Sequence, residues 1–265
     1  MSEYQNPQIP EGINVSKEHP LKDFAQMAVV VLVTIILAVS LLVSLSNFLL
    51  PYIPLSVELA IASKVDGLIP AQELSAETRA SQSSQKQQLQ SLVDELRDDV
   101  GLPADLPVTV HLQSDDLVNA FATLGGHLIF HQGLLDALES ESALAFVVAH
   151  ELAHLKERHP LLALGRGIVV GVSLATFVGV SDSQVSKFIM NTTGQLTLFS
   201  FNREMETAAD VIAFQALEKN YGHLDGVDEL FQVFAKQREV PAWMSTHPTS
   251  KQRQKALEAR AETAQ

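Results

Sequence analysis

The sequence predicts an α+β fold, mainly helical with a small antiparallel sheet, preceded by an N-terminal transmembrane helix. Three observations predict it. The long segment between Asp23 and Glu58 carries no Asp, Glu, Lys or Arg. A short stretch after Pro107 alternates like β-strand and contains the pair Gly125-Gly126. Most of the remaining chain follows helical spacing without alternating strand and helix, the pattern of segregated elements and not of a doubly wound parallel sheet.

Composition sets the outer bounds. The chain has 265 residues, 46% hydrophobic and 18% charged, which is enough for a real core. Its formal net charge of −13 argues against nucleic acid as a partner, because phosphate binding needs a basic face. The absence of cysteine excludes disulfides, Cys-ligated metal and a thiol nucleophile. Any bound metal must then be held by His, Asp or Glu, and the nine histidines become the residues to follow.

Residues 1–24 form a tail of mixed charge, and residues 25–50 are dominated by Val, Leu and Ile. About 20 apolar helical residues cross a hydrocarbon core of about 30 Å, so 25–50 is read as a membrane anchor ended by Pro51 and Pro54. A cleaved signal peptide is the rival reading, but its apolar region would be shorter. Lys17 and Lys22 precede the span and Lys64 follows it, a narrow bias that puts the N-terminus in the cytoplasm and the bulk of the chain on the other side, facing the periplasm or the outside. Residues 51–100 are read as a juxtamembrane connector of poor periodicity plus a first helix, in which Leu89, Leu92, Val93, Leu96 and Val100 recur at helical spacing before Gly101 and Pro103.

Residues 101–262 form the main domain. Val108 to Leu112 alternates as a strand, and the runs 121–124 and 127–130 flank Gly125-Gly126 as a hairpin. Helices are expected from Gln132, over 141–157, and over 202–219, 225–237 and 249–261. The apolar run 161–180, broken by Gly165-Arg166-Gly167, leaves a second span, a membrane-dipping hairpin and a flap open; an interfacial or buried segment is favoured.

The chemistry concentrates in His150-Glu151-Leu152-Ala153-His154, an H-E-x-x-H motif. Residues four apart share a helix face, so His150 and His154 can reach one metal ion while Glu151, beside that face, can act as general base. The motif alone is moderately specific. Its setting adds weight, because two histidines and a glutamate among Ala143, Leu144, Phe146, Val147 and Val148 are costly unless ligated or hydrogen-bonded. A third ligand is needed. Glu157 and Pro160 occupy the positions where a G-x-x-H continuation would need Gly and His, and His159 reads as a capping or surface residue before Pro160. Glu206 is the better candidate, with Asp210 one turn on to accept a hydrogen bond from a ligand imidazole, and Ala208 and Ala209 allowing close helix approach. Glu204 is a rival that points to the other side of the helix.

Four blocks in register give a resemblance. They are Asn119-Ala120-Phe121-Ala122 with Gly125-Gly126-His127 and Gly133-Leu134-Leu135; the H-E-x-x-H; Arg203 to Glu206 through Ala209-Asp210; and Thr246-His247-Pro248-Thr249 with Arg253. Over roughly residues 100–260 the chain resembles the membrane-associated zinc metallopeptidases that include HtpX and the CAAX prenyl endopeptidases, of the gluzincin type. Ala208 and Asn202 depart from the pattern of many relatives, which weakens the subfamily placement more than the catalytic assignment. The resemblance implies a zincin-like domain holding one Zn2+ per chain with His150, His154 and Glu206 as ligands. It implies Glu151 as catalytic base and His247 as a group that stabilises the oxyanion or modulates access.

The expected activity is hydrolysis of peptide bonds in proteins in or near the bilayer, with envelope quality control as the role the resemblance implies. The segment Gly126, His127 and Leu128, running on to Phe130, is the candidate surface for a substrate added as a strand. A non-proteolytic chaperone or adaptor keeping the metallopeptidase fold is the alternative; an intact Glu151 argues against it.

Overall fold

A computed structural model of the chain describes residues 20–65, 76–178, 201–224, 227, 229, 230, 233 and 247. The described chain divides into two units, one ending at Leu42 and the other beginning at Val43. The expected class holds: mainly helical, with one small sheet and an N-terminal apolar helix.

Helix α1 (Pro20–Leu49) has 30 residues, about 45 Å of helix at 1.5 Å per residue. Its apolar side chains are exposed, from Phe24 and Val30 through Leu37 to Leu49. Among the described residues it is the one helix long and apolar enough to cross a membrane. A 3-10 turn (Leu50–Tyr52) closes it, where Pro51 has no N–H to continue the helix.

The second unit continues with α2 (Leu55–Val65), inside the stretch whose poor periodicity gave no helix in the sequence. Packing explains it: Ala62 is buried with Leu124, Leu161 and Leu164, and Glu58 is buried in an ion pair. Helix α3 (Ala76–Val100) buries Leu89, Val93 and Leu96, the expected face, and begins further back than that face alone indicated. Gly101 ends it at φ 76°, with the Leu102 N–H bonded to Arg97 O at 2.9 Å and the Gly101 N–H to Asp98 O at 3.1 Å, the two bonds of a Schellman cap.

Three strands follow: β1 (Thr109–Gln113), β2 (Ala120–Thr123) and β3 (His127–His131), in spatial order β1-β3-β2. The hairpin β2–β3 is antiparallel as expected, but β1 runs parallel to β3, so the sheet is mixed. The chain leaving β1 passes beyond β3 before turning back as β2, which leaves β3 alongside β1 in the same sense. Gly126 sits at φ 81° where a Cβ would lie 1.7 Å from the Pro107 carbonyl oxygen, so only glycine fits the hairpin turn.

Helix α4 (Gln132–Ala137) leads to α5 (Glu141–Lys156), capped by the Ser140 hydroxyl oxygen accepting from the Ala143 N–H at 3.1 Å. Every residue from Ala145 to Leu155 is buried, because α5 packs at once against α3, β2, α6 (His159–Val178) and α7 (Arg203–Tyr221). Small side chains at Ala145, Ala149 and Ala153 on α5 and Ala209, Ala213 and Ala216 on α7, all fully buried, allow these helices a close approach. Asn202 caps α7 through its side-chain oxygen, and Gly222 closes it in the left-handed region.

The run 161–180 is one continuous helix through Gly165-Arg166-Gly167 as far as Val178. Leu161, Ala163 and Leu164 are buried, whereas Val170 and Val172 are exposed. Residues 179 and 180, the tail before Pro20, most of 225–237 and all of 249–261 lie outside the described residues.

Candidate metal centre

Helices α5 and α7 bring His150, His154 and Glu206 together, and His247 joins them from the C-terminal part of the chain. All four side chains are buried, and one ligand atom from each lies within 4.8 Å of the others. His154 Nε2 is 3.0 Å from His150 Nε2 and 3.5 Å from Glu206 Oε1. His150 Nε2 is 3.3 Å from His247 Nδ1 and 3.5 Å from Glu206 Oε2. His247 Nδ1 is 3.0 Å from Glu206 Oε1.

These spacings test the fit of a metal. Four donors about 2.0–2.1 Å from a tetrahedral zinc stand about 3.3 Å from one another. The separations of 3.0–3.5 Å fall around that value, with Glu206 turning Oε2 towards His150 and Oε1 towards His154 and His247. Protons alone serve the cluster poorly: His150 Nε2 faces two ring nitrogens and a carboxylate, and a single N–H cannot satisfy three neighbours. The donor set fits one cation.

The remaining groups are arranged around it. His150 Nδ1 lies 3.1 Å from Asp210 Oδ1, leaving Nε2 for the centre. Glu151 is fully buried, with Oε1 3.5 Å from His247 Nε2. Glu204, the rival ligand, is exposed on α7. His159 departs from the reading of a capping or surface residue: it is buried, with Nδ1 2.8 Å from His154 Nδ1. The sequence signal for it was the fifth position after His154, where the chain reverses from α5 into α6. Phe201 was also missed; its ring stacks on His154 at 4.0 Å between centroids.

The electrostatics follow from burial and these partners. In the metal-free protein, burial opposes charge on His150, but Asp210 and Glu206 outweigh it and raise its pKa to about 9. Burial also opposes charge on Glu206, yet His247 and His150 hold it well below the usual carboxylate range. His154 is pushed well below the usual histidine value by burial, and His159 down to about 4 for the same reason. Burial raises Glu151, with His247 and His150 pulling it back in part.

Gly126, His127 and Leu128 are not at an open edge, which corrects the expected site of strand addition. β3 is the central strand and is paired on both sides. Strand β2 instead has an outer edge that pairs with no strand among the described residues. The His131 N–H bonds to Asn119 O at 3.1 Å, which sets the ladder so that the backbone groups of Ala120 and Ala122 point outward. Ala120 O lies 3.4 Å from His247 Nε2, and the Ala122 N–H lowers the pKa of Glu151. The outer edge of β2 therefore faces the centre.

The profile of peptidase family M48 matches residues 83–261. The chain belongs to peptidase family M48. The mitochondrial metalloendopeptidase OMA1 of Schizosaccharomyces pombe is 31% identical over 161 residues, covering 58% of this chain and 47% of that protein. The beta-barrel assembly-enhancing protease of Yersinia pestis is 30% identical over 159 residues, covering 54% and 32%. The mitochondrial metalloendopeptidase OMA1 of Danio rerio is 25% identical over 190 residues, covering 65% and 39%. Each match spans less than half the length of these M48 relatives.

Proposed function

We propose that this M48 chain is a membrane-anchored zinc endopeptidase. The observation that carries the proposal is the buried set of His150, His154, Glu206 and His247 at metal-ligand spacing with Glu151 beside it. Two imidazoles and a carboxylate, without thiolate, suit Zn2+. His150, His154 and Glu206 are the three lasting ligands, with Asp210 orienting His150. A bound zinc supplies Lewis acidity to the scissile carbonyl and brings the pKa of a water towards about 7. Glu151 takes the proton of the attacking water and returns it to the leaving amine, so that one peptide bond and one water become a carboxylate and an amine. Its burial, which raises the carboxyl pKa, suits it to carry that proton.

His247 stands where the fourth corner of the donor set falls, and not beyond it as a distant oxyanion donor would. This position favours the reading that it modulates access: a metal held by His150, His154 and Glu206 would have His247 beside it, and withdrawal of that side chain would let water and substrate approach. Substrate binds in extended form along Ala120 and Ala122, whose outward backbone groups lie next to His247 and Glu151.

Helix α1 is the anchor, with the bilayer as its partner, and the larger unit faces the periplasm or the outside. Proteins or peptides in an envelope are the substrate class, in keeping with relatives named for mitochondria and for β-barrel assembly. The test is zinc content together with cleavage of an unfolded casein-type substrate by the wild type, Glu151→Gln and Glu206→Gln. Glu151→Gln is expected to keep zinc and lose at least 100-fold in kcat, within the range for a general base of roughly 10²–10⁴. Glu206→Gln is expected to lose both. Normal cleavage by Glu151→Gln would overturn the mechanism.

A further inference from the structure

We propose that His159 is a positioning residue: its Nδ1 accepts the Nδ1–H of His154 and so holds His154 in the tautomer and ring orientation that present Nε2 to the metal. The proposal rests on His154 being a ligand, as argued above. Two ring nitrogens 2.8 Å apart share one proton between them; two lone pairs or two N–H groups facing each other at that distance repel. The location of that proton follows from the other nitrogen of His154. Nε2 faces His150 Nε2 at 3.0 Å and Glu206 Oε1 at 3.5 Å, inside the donor set. A lone pair is needed there for the metal, so the proton of His154 sits on Nδ1. His159 must then offer a bare Nδ1 and carry its own proton on Nε2.

The local fold delivers this contact. Arg158, at φ 55°, is the one non-glycine residue with positive φ among the described residues. That conformation reverses the chain after α5, so that α6 starts with His159 beneath the last turn of α5. The guanidinium of Arg158 fixes the turn by donating to Glu58 Oε2 from Nε at 2.8 Å and Nη2 at 2.7 Å, and to the Pro51 carbonyl at 3.1 Å. Phe201, stacked on His154 at an interplanar angle of 19°, covers one face of the ring. His154 is thus held by a stacking face and one directional hydrogen bond.

The two histidine ligands therefore have different outer partners. His150 donates to a carboxylate, Asp210, while His154 donates to a neutral imidazole. A carboxylate acceptor makes the ligand nitrogen more basic than an imidazole acceptor does, and either acceptor fixes the tautomer.

The test uses the full-length protein in detergent, with zinc affinity read by chelator competition at one pH and the site geometry read from the visible absorption of the cobalt-substituted form. His159→Leu is expected to bind zinc 10–100-fold more weakly and to shift the cobalt bands, whereas His159→Gln, whose amide oxygen can accept the same hydrogen bond, recovers most of both. Unchanged affinity and bands in folded His159→Leu would overturn the proposal, and so would equal losses in Leu and Gln. Selective ¹⁵N labelling of histidine in the zinc-loaded wild type needs no variant: His154 is expected in the Nδ1–H form and His159 with a bare Nδ1. A proton on His159 Nδ1 also overturns it. Failure of the parent reading looks different, because then the wild type itself binds no zinc through His154.

Discussion

Oδ1 of Asp210 lies 3.1 Å from Nδ1 of His150, across the contact between the helix bearing the H-E-x-x-H motif and the helix bearing Glu206. The carboxylate points the imidazole so that its other nitrogen meets the remaining donors. Asp210→Asn retains the size of the side chain but removes its charge. Metal affinity is expected to fall by 10–100-fold, the usual cost of losing such an outer partner, with the fold retained. Chelator competition checks the affinity, and circular dichroism checks the fold.

The same contact makes metal binding depend on pH. His150 has a pKa of about 9 in the metal-free protein, above its ordinary 6.5, so a metal must displace a proton to bind at neutral pH. Zinc affinity, corrected for the buffer, is expected to rise by about tenfold per pH unit from pH 7 towards 9, the slope of one released proton, and then level off. For the metal-free protein the sign is opposite. A folded pKa above the unfolded one contributes stability that is complete below pH 6.5 and lost as pH climbs through about 9. Denaturation of the chelated protein at pH 6, 7.5 and 9 reads this directly.

His247 contacts both Glu206 and His150, so its loss should expose the centre while removing one donor. His247→Ala is expected to weaken zinc binding by roughly tenfold or more and to raise cleavage of a short unstructured peptide in excess zinc. A fall in kcat with unchanged zinc affinity would instead assign the residue to the oxyanion.

Proline scanning separates the edge strand from the central one. Proline at Ala120 removes an outward N–H and no ladder bond within the sheet, so it should lower kcat/KM for extended peptides by about tenfold or more at full zinc content. Proline at Leu128 or Phe130 removes a bond between β3 and β1 and leaves a buried acceptor unpaired, which should reduce stability by about 1–3 kcal/mol, seen as a lower Tm.

Much of this site was legible in the sequence because it obeys short-range rules. Positions 150 and 154 share a face by helical periodicity alone, and Glu206 with Asp210 repeats that spacing on a second helix. The hairpin was legible from Gly125-Gly126 between two apolar runs. What escaped depends on tertiary position. Helix α2 has little periodicity of its own and is held by Ala62 and Glu58 against distant segments. The parallel placement of β1 is a matter of which strand lies between which, and a one-dimensional pattern does not encode it. Strand addition was therefore assigned to β3 when the outer edge belongs to β2. His159 read as a capping or surface residue because its burial comes from the reversal at Arg158, a backbone conformation that the residue type does not announce.

Glu58 and Arg158 test how far that reversal depends on its surroundings. Glu58 is 5% exposed, and Glu58→Gln leaves the guanidinium without its carboxylate. A loss of about 1–3 kcal/mol is expected, since a hydrogen bond to a charged group is given up at a largely buried site. Tm measured with and without chelator shows whether the loss reaches the metal centre.

The latch made by Arg158 also sets where this enzyme can be cut down. The segment that recognisably belongs to the peptidase family starts at residue 83, and the obvious soluble fragment would begin there. Such a fragment would discard Glu58 and the Pro51 and Ile53 carbonyls, three of the acceptors that Arg158 uses. The turn would then carry an unneutralised guanidinium four residues after His154, the proposed ligand. The residues just past the apolar helix thus hold the turn that places His159, and a fragment without them is expected to bind zinc more weakly than the full chain.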